Sequence, residues 1–140
     1  MALKDEAWRH VAAAYPFRTP LQSRYGDMDS NAHLNNVAIA RLFEESRLRF
    51  HMDVRHTALD ADPRGVMIAH IAIDYVAEGQ YPADVLAAVG VARVGTRSYA
   101  LAMALFQEER TMALAECVMV HRAGMAPALR AALELRAVQR

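Results

Sequence analysis

Residues 96–107, TRSYALAMALFQ, place Tyr99, Leu101, Met103 and Leu105 in alternation with Ser98, Ala100, Ala102 and Ala104. A period of two that sorts large from small side chains is the signature of a strand with one bulky face, and a bulky face must be buried against another layer. The alanine face is apolar but thin, so it is expected to meet another subunit at close range. Residues 65–77, 83–94 and 111–122 have the same strand character. Turn residues fall near Glu78–Pro82, Gly95 and Glu108–Arg110, so the four strands are expected to form a half-buried antiparallel sheet.

One long helical pattern precedes them. From Leu34 to about Met52, the apolar Ile39, Leu42, Phe43 and Phe50 follow a 3.6-residue period, and Glu45 and Arg49 are spaced for an i,i+4 ion pair. Upstream, Trp8, Val11 and Ala12 predict a short amphipathic helix over 5–14, ended by Pro16, and 17–25 reads as extended. Residues 53–65 carry Asp, Pro and Gly without periodicity and read as a loop, while APALRAALELRAV, 126–138, restores helical spacing. The 140 residues support one core, so the expectation is a single α+β domain over 1–140.

Sixteen basic residues balance sixteen acidic ones, and only Lys4 among the basic residues is a lysine. A neutral chain lacks the electrostatic footprint of a nucleic-acid or anionic-membrane binder, so the partner is expected to be a small molecule or another protein. The lone Cys117 excludes an intramolecular disulfide and a cysteine zinc cluster. The charged opening MALKDEAWRH does not read as a secretory signal, and no segment has the uncharged length of a membrane span, so a cytoplasmic location is expected.

The chemistry-bearing residues concentrate in RYGDMDSNAHLNN, 24–36, directly before the long helix. Asp27 and Asp29 there suit either helix capping or catalysis: a carboxylate beside a helix N-terminus can act as base or nucleophile while free N–H groups polarise a carbonyl. Spacing alone does not decide between them. Asp29, Ser30 and His33 do not make a hydrolase triad, because no G-x-S-x-G elbow exists. His51, Asp53 and His56 match no metal motif, so no metal is expected. Cys117 and His121 are about 13 Å apart along a strand, too far for a thiol and its base. Either Glu44 or Glu45 would become a second candidate base if it turned towards the sheet. Arg93, Arg97 and Ser98 flank a turn, as surface charges or as phosphate contacts.

RYGDMDSNAHLNN running into VAIARLFEESR resembles the 4-hydroxybenzoyl-CoA thioesterase-like branch of the hotdog-fold superfamily. HIAIDYV, YPADV, VGTRSYALAMALF and ALAECVMV are similar to its successive strands, so the likeness spans roughly residues 17–122. The resemblance implies a hotdog fold, in which a curved antiparallel sheet wraps a long central helix, and a homodimer or homotetramer that hydrolyses acyl-CoA without a cofactor. It makes Asp29 the catalytic carboxylate and Asn36 the source of a polarising N–H, with Asp27, His33, Asn35 and Ile39 shaping the site and Arg93, Arg97 and Ser98 candidates for holding coenzyme A. Direct attack by Asp29 and activation of water both remain open. Acyl-carrier-protein substrates, or acyl-CoA binding without catalysis, are the alternative readings. Two positions depart from the pattern: Ala32 stands where many relatives have glycine, and Ile39 where they often have an aromatic.

Overall fold

The computed structural model describes residues 2–57 and 65–140. Strand β1 (Phe17–Leu21) leads through a tight 3-10 turn at Tyr25–Asp27 to helix α1 (Asn36–Thr57). Four strands follow, β2 (Val66–Tyr75), β3 (Val85–Val94), β4 (Ser98–Gln107) and β5 (Arg110–His121), and then helix α2 (Pro127–Glu134). All strand pairs are antiparallel, in the order β1-β3-β4-β5-β2. Among the described residues, no helix is long and apolar enough to cross a membrane.

Helix α1 lies on one face of this sheet because its apolar stripe and the bulky face of β4 need each other. Ile39, Leu42, Phe43 and Phe50 are buried with Tyr99, Leu101, Met103 and Leu105, as the two periodicities predict, and Val54, in the segment read as loop, joins them. Ser46 is fully buried on the same stripe; its hydroxyl donates to the Leu42 carbonyl at 2.7 Å, which removes the cost of an unpaired polar group. The expected Glu45–Arg49 pair forms at 2.9 Å, and Arg49 also donates to Thr19 and Pro20. The helix runs about one turn further than its pattern predicts. Residues 53–57, read as loop, continue it because Arg136 reaches back from beyond α2 to the Asp53 carboxylate and the Thr57 hydroxyl. The rest of that predicted loop, 58–64, lies outside the described residues.

The alanine face has a different cover from the one expected. Ala88, Ala102 and Ala104 pack with Ala14, Tyr15, Phe106 and Leu114, and Leu3, Trp8 and Ala12 close over them. The chain's own N-terminal segment therefore occupies this face where a second subunit was expected. That segment is not the predicted α-helix either: it makes three 3-10 turns, Leu3–Asp5, Ala7–His10 and Ala12–Ala14, with extended backbone at Glu6, Val11 and Tyr15. Its anchors explain the outcome. Arg9 bonds Glu116 on β5 at 2.6 Å, His10 bonds Thr111 at 3.0 Å, the Lys4 N–H bonds Asp74 at 3.0 Å, and the Tyr15 hydroxyl bonds the Arg9 carbonyl at 2.7 Å. A straight helix would satisfy few of these together, so tertiary bonds override a weak local preference.

Candidate active site

The loop 28–35 is a small scaffold built around Asp29. An antiparallel bridge joins Met28 to Leu34, and the Asp29 N–H donates to the His33 carbonyl at 2.9 Å. The Asp29 side chain folds back into its own loop: Oδ1 accepts the Asn31 N–H at 2.9 Å and the His33 N–H at 3.4 Å. This Asx-type turn fixes the carboxylate while the residue remains exposed. Ala32 adopts φ 60°, the left-handed region that favours glycine.

Helix α1 begins where this loop ends. Asn35 is its cap: the side-chain oxygen accepts the Ala38 N–H at 2.8 Å, and its own N–H donates to the Asp27 carbonyl at 3.0 Å. Leu34 is tied to the Gly79 carbonyl at 2.8 Å, which docks the helix start onto the β2–β3 connection. Asn36 and Val37, the first two helical residues, have no intrahelical acceptor for their N–H groups. They form the positive end of the helix dipole, next in sequence to the Asp29 loop. Asp27 has a structural role: Arg24 donates to it through both its backbone N–H and its guanidinium, at 2.9 and 3.0 Å. Burial pushes the Asp27 carboxyl up, but these two bonds outweigh it and hold the group below the usual carboxylate range.

Beside the helix start lies a cleft of about 500 Å³, lined by Leu34, Ile39, Tyr75, Val76 and Met112 together with His33, Glu78 and Arg110. His33 Nε2 stands 3.2 Å from the Glu78 carboxylate. Tyr75, Glu78, Gly79, Arg110 and Met112 were absent from the expected site. Their sequence signal was only that of strand ends and turns, and it is the antiparallel register that returns them to the helix N-terminus.

Arg93, Arg97 and Ser98 do not join this group within one chain. Arg93 faces Glu116 at 3.5 Å, Arg97 donates to the Arg122 carbonyl at 3.1 Å, and Ser98 is half-buried at the start of β4. The cleft adjoins the β4–β5 turn at the other end of that ten-residue strand, on the order of 30 Å away. The remaining candidates are occupied elsewhere. Glu44 is exposed, Glu45 pairs with Arg49, and Asp53 pairs with Arg136. His51 Nε2 bonds the Tyr99 hydroxyl at 2.7 Å; burial first, and the Arg47 charge second, push its pKa down to about 4. Cys117 is fully buried, and burial pushes its thiol up to about 11, so it packs as a core residue.

The model of the thioesterase-like superfamily matches residues 23–126, a span that includes the Asp29 loop, α1 and all four long strands. The chain belongs to the thioesterase-like superfamily. Solved structures agree on the architecture of this thioesterase-like chain. A protein from Pseudomonas aeruginosa is 23% identical with a TM-score of 0.76, covering 91% of this chain and 96% of its own. A thioesterase from Thermus thermophilus, complexed with coenzyme A and zinc, is 19% identical with a TM-score of 0.74, covering 87% and 94%. A 1,4-dihydroxy-2-naphthoyl-CoA thioesterase from Synechocystis is 13% identical with a TM-score of 0.71, covering 84% and 94%. The fold is the expected hotdog, a long helix against a curved antiparallel sheet. Curated protein sequences give no match to the chain.

Proposed function

We propose that the chain is an acyl-CoA thioesterase of the 4-hydroxybenzoyl-CoA thioesterase-like branch, acting as a cytoplasmic homo-oligomer without a cofactor. The observation that carries this reading is a carboxylate clamped in the loop that caps a helix N-terminus, beside a cleft of mixed polarity that His33 and Leu34 of that loop and Ile39 of the helix help to line. The thioester carbonyl oxygen would accept from the Asn36 N–H, where growing negative charge meets the positive end of α1. Asp29 Oδ1 is engaged by its own loop, which leaves Oδ2 to attack the carbonyl carbon or to take a proton from an attacking water. The C–S bond then breaks and coenzyme A leaves as its thiolate, a good leaving group that needs little acid assistance. Water supplies the oxygen of the released acid by either route.

Pairing of two chains explains how the distant arginines serve the same site. Strand β2 is an edge strand, and its apolar residues Ile68, Ile71 and Tyr75 are 43%, 37% and 54% exposed. A long unpaired edge is a template for a second strand. Val66 pairs with His121 at the Arg97 end of the sheet, and Tyr75 with Ala113 at the cleft end. Antiparallel β2-to-β2 pairing across a twofold axis therefore sets one chain's Arg97 and Ser98 near the other chain's cleft, with Arg93 close behind, to hold coenzyme A. Release of free thiol from short, long and aromatic acyl-CoAs tests the activity directly. Turnover of at least one member is expected; binding of acyl-CoA with no thiol released across the panel would make the chain a binding module and refute the proposal.

A further inference from the structure

Arg110 is the one cationic side chain among the described residues that lines the cleft and has a guanidinium edge to spare. It donates once, from Nη2 to the Glu78 carbonyl at 2.8 Å, and among the described residues it pairs with no carboxylate. The nearest acid in the cleft, Glu78, is drawn to His33. Arg110 is exposed, and its backbone is fixed by a tight turn. It opens β5 straight after Glu108 and Glu109, whose φ values of 52° and 64° make a two-residue turn with both central residues left-handed, and it pairs in register with Gln107. A backbone-anchored guanidinium with one free edge is suited to two parallel bonds to a planar carboxylate.

The cleft lining that Arg110 shares with the helix start includes Leu34, Ile39, Val76 and Met112, which suit a hydrocarbon spacer, beside Tyr75, His33 and Glu78. We infer that this cleft selects acyl groups bearing a distal carboxylate, so that the substrates are half-thioesters of dicarboxylic acids with Arg110 as the specificity residue. The inference rests on the thioesterase reading above: the thioester end sits at Asn36 and the free acid end at Arg110. The spacer length of the preferred diacid then measures the gap between them.

The test compares glutaryl-CoA and adipoyl-CoA with butyryl-CoA and hexanoyl-CoA, in the wild type, Arg110→Gln, Arg110→Lys and the remote surface control Arg55→Gln. Calorimetric titrations with free glutarate, free adipate and the nucleotide 3′,5′-ADP run beside it. The wild type and Arg55→Gln are expected to favour a diacid thioester at least tenfold in kcat/KM, with Arg110→Gln losing that preference and Arg110→Lys keeping part of it. Free diacid should bind the wild type and not Arg110→Gln. Equal losses on every acyl-CoA in Arg110→Gln, with 3′,5′-ADP bound and diacid not, would assign Arg110 to the coenzyme A phosphates and overturn the inference. So would a wild type indifferent to the distal carboxylate. Diacid binding through Arg110 with no thioester cleaved would uphold the carboxylate site and refute the thioesterase reading alone.

Discussion

Ala32 and His51 are single residues that carry measurable stress. Ala32 holds φ 60°, where a Cβ meets backbone crowding that worsens with branching. Ala32→Gly is expected to gain up to about 1 kcal/mol in urea unfolding, and Ala32→Val to lose at least about 1 kcal/mol; a valine variant as stable as wild type would contradict the turn. The pKa of His51 is pushed from 6.5 down to about 4, so the folded state binds its proton less readily than the unfolded state. Its contribution to stability is thus fully present above pH 6.5 and is lost as the pH falls from 6.5 towards 4, by up to about 3 kcal/mol. The difference in unfolding free energy between wild type and His51→Gln should shrink by that order over this window. A difference independent of pH would show that His51 is not held neutral. At this scale the sequence marked Asp29 and Asn36 as candidates beside the helix start, where the structure places both. It could not show that Asp29 folds back on the Asn31 N–H or that Asn35 caps Ala38, because Asp and Asn suit caps, turns and catalysis alike.

Elements were legible where one strong period ran uninterrupted. The four long strands begin and end within two residues of their predicted spans, and α1 starts two residues after the predicted Leu34. The reading failed where local preference is weak and long-range bonds decide: the N-terminal segment, tied down by Glu116, Thr111 and Asp74, and the last turn of α1, held by Arg136. Gly90 on β3 illustrates the same limit. The C-terminal tail crosses it, with the Val138 N–H bonded to the Val91 carbonyl at 3.0 Å, and a Cβ at Gly90 would sit 2.5 Å from Val138 Cγ1 and 2.9 Å from Pro16 Cδ. Gly90→Ala should cost about 1–3 kcal/mol in chemical denaturation, because the tail is tied by backbone bonds and cannot step aside cheaply. An unchanged midpoint would mean that the tail is free to move.

For the whole molecule, the sheet order explains what no single stretch could reveal. Antiparallel pairing carries Glu78, Gly79 and Arg110 to the start of α1 and leaves Arg97 and Ser98 at the far end, where only a second chain under the proposed β2 pairing would bring them to the cleft. Ile71→Arg places a charge in the middle of that edge. It is expected to convert a dimer to a monomer in sedimentation velocity and to remove thioesterase turnover with it; an Ile71→Arg protein that stays dimeric and active would move the interface elsewhere. The central claim concerns Asp29. Asparagine at this position can still accept the Asn31 N–H and keep the loop, yet it offers neither a nucleophile nor a base. The deciding measurement is the rate of thiol release by wild type and Asp29→Asn on the best acyl-CoA of the panel, with unfolding curves showing both to be folded. The account predicts a fall in kcat of at least about 100-fold, whereas an Asp29→Asn protein that turns over like wild type would contradict it.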